Sequence, residues 1–261
     1  MQKARIARRV LLGTTALFVV WLFAVWPPPV WWRDHEPRCT AMMRLRGSAC
    51  ERPHVTGEIP ARVPRMVIIA EDSRFRTHHG IDFVELQEAW RERARRGELR
   101  GASTITQQLA KNLYLSPSRN PLRKLKEAVT ALRLELALPK DRIMELYLDL
   151  VEWGPDVWGI AAASDAYFGV PPSRLSDAQA AALAATLPHP RTSNPAYRPA
   201  RMLARRDLIL ARYYGGKVAV PRAAEESLPL VPPVIEDLMD SLKVIPLPDT
   251  IPARDSSIHQ P

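Results

Sequence analysis

The sequence predicts a mainly α-helical domain preceded by one transmembrane helix. Leu122, Leu125, Val129, Leu132 and Leu136 recur at alternating spacings of three and four, which is one face of a helix. Ile143, Leu146, Tyr147 and Leu150 repeat that pattern over 140–151. No run of useful length alternates apolar and polar residues as a half-buried strand would. At 261 residues the chain has room for one domain with a real core plus appendages. Apolar residues at 46% and charged residues at 25% match globular proteins and exclude a wholly disordered chain. The formal charge of +9 points to an anionic partner: nucleic acid, phospholipid or a phosphorylated substrate.

The elements follow in order. Lys3, Arg5, Arg8 and Arg9 form a basic stub over residues 1–9. Val10 to Trp26 then carries no charge and is apolar on every face. As a helix it is about 26 Å long, the short end of a bilayer crossing. Pro27, Pro28 and Pro29 stop it, and Trp21, Trp26, Trp31 and Trp32 stand where an interfacial aromatic belt belongs, so the anchor is drawn over 10–32. The positive-inside bias puts the stub in the cytoplasm and the rest outside. A cleaved signal peptide is the rival, but bulky Trp and Pro follow the run where small residues would mark cleavage. Cys39 and Cys50 are the only cysteines, and either one short-loop disulfide or two free thiols fits them.

Residues 33–60, with scattered Pro and charge, read as a linker. The domain is expected over 61–214. Within it, residues 84–96 are highly charged, 121–138 and 140–151 are amphipathic helices, and Ser176-Asp177 caps an alanine-rich helix that ends before Pro188. Residues 215–261 are a Pro-rich tail expected to be extended or disordered. No internal repeat is present.

Three stretches carry chemistry. In EDSRFRTHHG, Glu71 and Asp72 follow the apolar run Met66 to Ala70, and a carboxylate there suits a general base. In GASTITQQLAKN, Gly101 allows a turn, Ser103 or Thr104 caps a helix, and Gln107, Gln108 and Lys111 follow. Lys111 lies one helical turn after Gln107. Amides, hydroxyls and an ammonium converging at a helix start suit a sugar phosphate. Next come Arg119, Arg123, Lys124 and Glu127, all off the leucine face. They read as surface salt bridges, or, together with Lys111, as a cation cluster for a pyrophosphate with Glu127 orienting the cations or a metal. Taken singly, each stretch is equally well a solvated helix end, a capped helix or a salt bridge.

Their order and spacing are specific. EDSRFRTHHG, GASTITQQLAKN, RKLKEA, KDRIMELYLDLVEWG and AAASDAYFGV with LSDAQAAALAATLPHP resemble the five successive motifs of the peptidoglycan glycosyltransferases, over roughly residues 60–200. Only 215–261 follow the last helix, where bifunctional relatives carry a transpeptidase, so the chain resembles the monofunctional biosynthetic transglycosylases. The resemblance implies a lysozyme-like glycosyltransferase domain with a small membrane-associated lobe. It implies lipid II as substrate, together with the growing glycan strand. Glu71 falls on the family's catalytic glutamate and Glu127 on its second essential glutamate. Ser103, Thr104, Gln107, Gln108, Lys111, Arg119, Arg123 and Lys124 fall on substrate-binding positions, the cations at the donor. Asp72, Phe75 and His78 complete the first motif and support Glu71. The resemblance also implies a single pass through the inner membrane, with the domain on its periplasmic or outer face. Asp149 stands where the family usually has Asn.

The chemistry implied is coherent. The donor carries an α-linked pyrophosphate and the product link is β-1,4, so the anomeric centre inverts in one displacement. That needs a base on the acceptor side and cations at the departing anion. A hydrolase would instead pair an acid with a base, and the cation cluster argues against it. The one cofactor candidate is a divalent cation (Mg or Mn) at the donor pyrophosphate. Adjacent His78 and His79 lack the partners of a metal motif. Trp153 and Trp158 suit the core or the membrane lobe. Arg91, Arg93, Arg95, Arg96 and Arg100 suit anionic headgroups or a solvated face equally. Membrane lipids and other cell-wall synthesis or division proteins are the remaining expected partners; no recognition motif supports nucleic acid.

Overall fold

A computed structural model describes residues 2–50, 58–96, 101–118 and 120–220. Arg100, Arg119, the side chains of Arg93 and Arg96, and the tail beyond 220 lie outside the described residues. The chain begins with α1 (Gln2–Phe23), of which Arg5–Phe23 is long and apolar enough to cross a membrane and is not buried in the protein. The helix ends at Phe23, ahead of the proline run, and a 3-10 turn follows at Pro29–Arg33. This differs from an anchor drawn to Trp32. Trp32 is a core residue, 8% exposed, and its indole N–H donates to the Tyr114 hydroxyl at 2.6 Å. A tryptophan can serve a belt or a core, and sequence position does not separate the two.

Residues 33–60 are not a bare linker. Thr40 caps α2 (Ala41–Arg46), accepting from the Met43 amide at 3.0 Å. Met42 and Met43 enter the core. Cys39 and Cys50 form a disulfide that closes this segment, resolving the two alternatives. Arg46 pairs with Glu152 at 3.3 Å and Ser48 donates to Asp156 at 2.8 Å. A helix this short has too few turns to display a periodicity, so its sequence looked like connecting chain.

The body is helical. α3 (Arg62–Glu71) and α10 (Ala200–Tyr213) pack on α9 (Asp177–Thr186). Ala180, Ala181, Ala182 and Ala184 of α9 are wholly buried, and their small side chains let the flanking helices approach closely. Ser176 and Gln179 form a capping box at its start. α5 (Ile105–Tyr114) packs on α6 (Pro121–Ala137) and α7 (Lys140–Leu150). α4 (Phe83–Arg96) presents Phe83, Val84, Leu86 and Trp90 to the outside. β1 (Glu152–Gly154) and β2 (Val157–Trp158) form a small antiparallel hairpin that leads into α8 (Ile160–Phe168). Three- and two-residue strands are too short to show an alternation, so they leave no periodic trace along the chain. Trp153 and Trp158 are both buried in the core.

One helical face is turned the other way from a usual core stripe. Leu122, Leu125, Leu132 and Leu136 of α6 are exposed, while Glu127, Thr130, Ala131 and Leu134 face inward. The same helix touches α1. Lys126 Nζ lies 4.8 Å from the centroid of the Trp21 ring, and Arg133 donates to the Phe23 carbonyl at 2.6 Å.

Candidate active site

Glu71 is the last residue of α3, where the helix runs out beside α5 and α10. Its side chain is 8% exposed and both oxygens are engaged. Oε2 accepts from Gln108 Nε2 at 3.0 Å, and Oε1 accepts from Arg205 Nη2 at 3.2 Å. The same Arg205 nitrogen reaches the Ala70 carbonyl at 2.7 Å. Gln108 in turn accepts at Oε1 from the Tyr147 hydroxyl at 2.9 Å. Three helices, α3, α5 and α10, therefore meet at one carboxylate, and α7 joins them through Gln108.

The next layer holds the frame. Asp72 is 1% exposed and accepts from the Ile105 amide at 3.0 Å, which pins the start of α5 beside Glu71. His78 Nε2 sits 2.9 Å from the same Asp72 oxygen. Thr104 and Gln107 form a capping box, and the Thr104 hydroxyl donates to the Gly80 carbonyl at 2.7 Å. Gly80 adopts φ 84, and a Cβ there would come within 3.0 Å of the Ala131 backbone, so the loop can lie this close to α6 only with glycine. Phe75 is wholly buried, with Lys140 Nζ 4.4 Å from its ring centroid. Asp72, Phe75, His78, Thr104 and Gln107 thus face inward and shape the site from behind. The Gln107 amide oxygen and the Thr104 hydroxyl are both engaged in capping the start of α5.

The cations gather along α6, with Lys111 on the neighbouring α5. Glu127, 2% exposed, accepts from Arg123 through one oxygen and from Lys124 through the other. Lys124 also donates to Ser103 at 2.7 Å, so Ser103 is joined to this cluster. Lys111, on α5, is partly buried. Burial lowers its pKa from the ordinary value; Glu127 pulls it up, Lys124 and Arg123 push it down, and Glu71 pulls it up. The charges of Glu71 and Glu127 therefore act on one ammonium. No hydrogen bond ties the Lys111 ammonium to another described residue.

The residues around these cations do not fit a protein-held divalent cation. Glu127 is the carboxylate among them, and both of its oxygens are taken by Arg123 and Lys124. Asp72, His78 and Asp82 bring ligand-type atoms within 4.8 Å of one another. Yet Asp82 accepts from Arg74 at 2.8 and 2.9 Å and from the Glu85 amide at 3.0 Å. Asp72 is engaged by Ile105 and His78. These acids are spent on the protein's own donors, as a buried ion-pair network requires.

Two site residues were not legible beforehand. Tyr147 appeared only as one apolar position of a helix, and Arg205 sat in a plain run of cations in α10. Neither carried a local signal, because each acts across a long sequence separation.

The sequence profile of the family described as Transglycosylase matches residues 40–214. A biosynthetic peptidoglycan transglycosylase of Azoarcus sp. (strain BH72) is 40% identical over 215 residues, covering 78% of this chain and 93% of that protein. A protein of the same name from Thiobacillus denitrificans is 42% identical, covering 79% and 91%. Another from Chromobacterium violaceum is 38% identical, covering 80% and 96%. The match spans the Glu71 carboxylate, the cation cluster and the helical body that joins them, and on that ground the chain belongs to the peptidoglycan transglycosylase family, with its lysozyme-like fold and its part in cell-wall synthesis.

Proposed function

We propose that the chain polymerises lipid II into β-1,4-linked glycan strands and releases undecaprenyl pyrophosphate. The observation that carries this reading is the buried Glu71 carboxylate, held by Gln108 of α5 and Arg205, with α5 packed on the helix that gathers Arg123 and Lys124 at Glu127. It supports a base and an anion clamp set side by side. In the reaction, the acceptor's 4-hydroxyl oxygen attacks C1 of the donor. The C1–oxygen bond to the pyrophosphate breaks, and its electron pair leaves with that group. The hydroxyl proton passes to Glu71, and C1 inverts.

Glu71 is the general base, held by Gln108 and Arg205. Such a base supplies about 10²–10⁴-fold. Lys111, Arg123 and Lys124 bind the donor's pyrophosphate and stabilise the charge that grows on it. Arg119 belongs to the same expected set but lies outside the described residues. Glu127 gathers Arg123 and Lys124 so that their charges point to one place. No step is routed through a divalent cation.

α1 supports membrane anchoring, which keeps the domain next to a lipid-linked substrate. The basic N-terminal stub and the disulfide favour a domain outside the cytoplasm, since disulfides persist in oxidising compartments. The inner membrane is the proposed location.

The test is turnover of purified lipid II by the detergent-solubilised full chain. Glu71→Gln is expected to abolish strand formation while leaving the melting temperature within a few degrees of the parent. A variant that still polymerises removes Glu71 as the base.

A further inference from the structure

The amide of Gln108 has two ends, and only one arrangement satisfies both neighbours. An ionised Glu71 carboxylate only accepts, so the N–H end of the amide has to face it. The carbonyl end then faces α7, where the Tyr147 hydroxyl donates to it at 2.9 Å. Tyr147 is fully buried and has no route to a substrate. Burial, then the charges of Glu71 and Asp72, push its phenol well above the ordinary value. It therefore stays a neutral O–H donor at any pH at which the protein works.

We infer that Tyr147 is a positioning residue: by donating to the carbonyl end of the Gln108 amide, its hydroxyl holds the N–H end on Glu71. The inference rests on Glu71 acting as the base. Amide flips preserve shape, so packing alone does not choose between the two orientations. The flipped amide would set a carbonyl oxygen against a carboxylate and turn Glu71 away from the incoming hydroxyl. Arg205 would still hold the other oxygen, so the loss is partial.

The experiment compares Tyr147→Phe, Gln108→Leu and the double variant in the full chain with lipid II, recording kcat, KM, the pH profile of kcat and thermal unfolding. Tyr147→Phe is expected to lower kcat by about ten- to a hundredfold, the range of one charge-assisted hydrogen bond, with KM for the donor unchanged. The acid limb of its pH profile should move. The double variant should be no slower than Gln108→Leu, because the hydroxyl acts only through the amide.

A parental kcat and profile in Tyr147→Phe would overturn the inference. So would losses that multiply in the double variant, or a rate loss that merely follows the loss of folded protein. Should Tyr147→Phe fail to fold, Gln108→Glu carries the test. It keeps the bond to Tyr147 but sets an acceptor against Glu71, so the acid limb should move to higher pH, and an unmoved limb overturns the inference. Glu71→Gln is run alongside. If that variant is dead while Tyr147→Phe is fully active, the inference fails and the base survives; if it is active, both fall.

Discussion

Arg205 donates to Glu71 at 3.2 Å across a separation of 134 residues. The pair joins the end of α3 to the middle of α10, and both side chains are largely buried, at 12% and 9% exposure. The arginine nitrogen that bonds the carboxylate also bonds the Ala70 carbonyl. One guanidinium thus fixes both the helix end and the acid that projects from it.

Arg205→Gln should therefore misplace Glu71 rather than remove it. The expected loss in kcat is about tenfold to a hundredfold, the scale of a small error in position. Stability should fall by about 1–3 kcal/mol, because the Ala70 carbonyl and the carboxylate each lose a buried donor. Steady-state turnover of lipid II and thermal unfolding measure the two separately. An unchanged kcat would show that Gln108 alone positions the acid.

Lys111 sets function against stability. Burial lowers its pKa in the folded protein, so the unfolded chain binds that proton more tightly. Charging the folded protein is therefore costly at every pH below its folded value. Stability from this group rises as pH climbs from that value towards the ordinary 10.5. Lys111→Met should remove that dependence, unfold no more easily than the parent at neutral pH, and lose most use of the lipid-linked donor. Chemical denaturation at neutral and alkaline pH checks the first part and lipid II turnover the second. A marked loss of stability at neutral pH would make Lys111 a structural cation.

Gly159 tests the frame behind the site. It holds φ 82, and a Cβ there would lie 2.6 Å from the Asp149 carbonyl oxygen. That contact is with backbone, so a side chain rotation cannot relieve it. Gly159→Ala is expected to destabilise the protein by about 2–4 kcal/mol, combining strain and overpacking. Thermal unfolding reads this directly, and a melting temperature equal to the parent's would contradict the close approach.

Much of the fold could be read along the chain, and particular residues show where reading stopped. The helices at 121–138 and 140–151 are long enough for their periodicity to appear, and Ser176 and Thr104 announce helix starts through their own side chains. Yet the leucine face of α6 turned outward. Periodicity says that a helix has two faces and leaves open which one meets the core. The sequence also supplied Glu71, Glu127 and the cations as residue types at recognisable spacings. It left undecided which polar groups touch a substrate and which support from behind. Thr104 and Gln107 went to a helix cap; Ser103 and Gln108 went to Lys124 and Glu71.

By itself the amino-acid order determined the membrane-length helix, the helical class and the identities of the acids and cations, since each depends on neighbours within a turn or two. Only the tertiary structure decided that Cys39 meets Cys50, that Tyr147 donates to Gln108 and that Arg205 holds Glu71. Those contacts depend on how whole helices stack. The stacking is set by the summed burial of many side chains, a quantity that no local stretch contains.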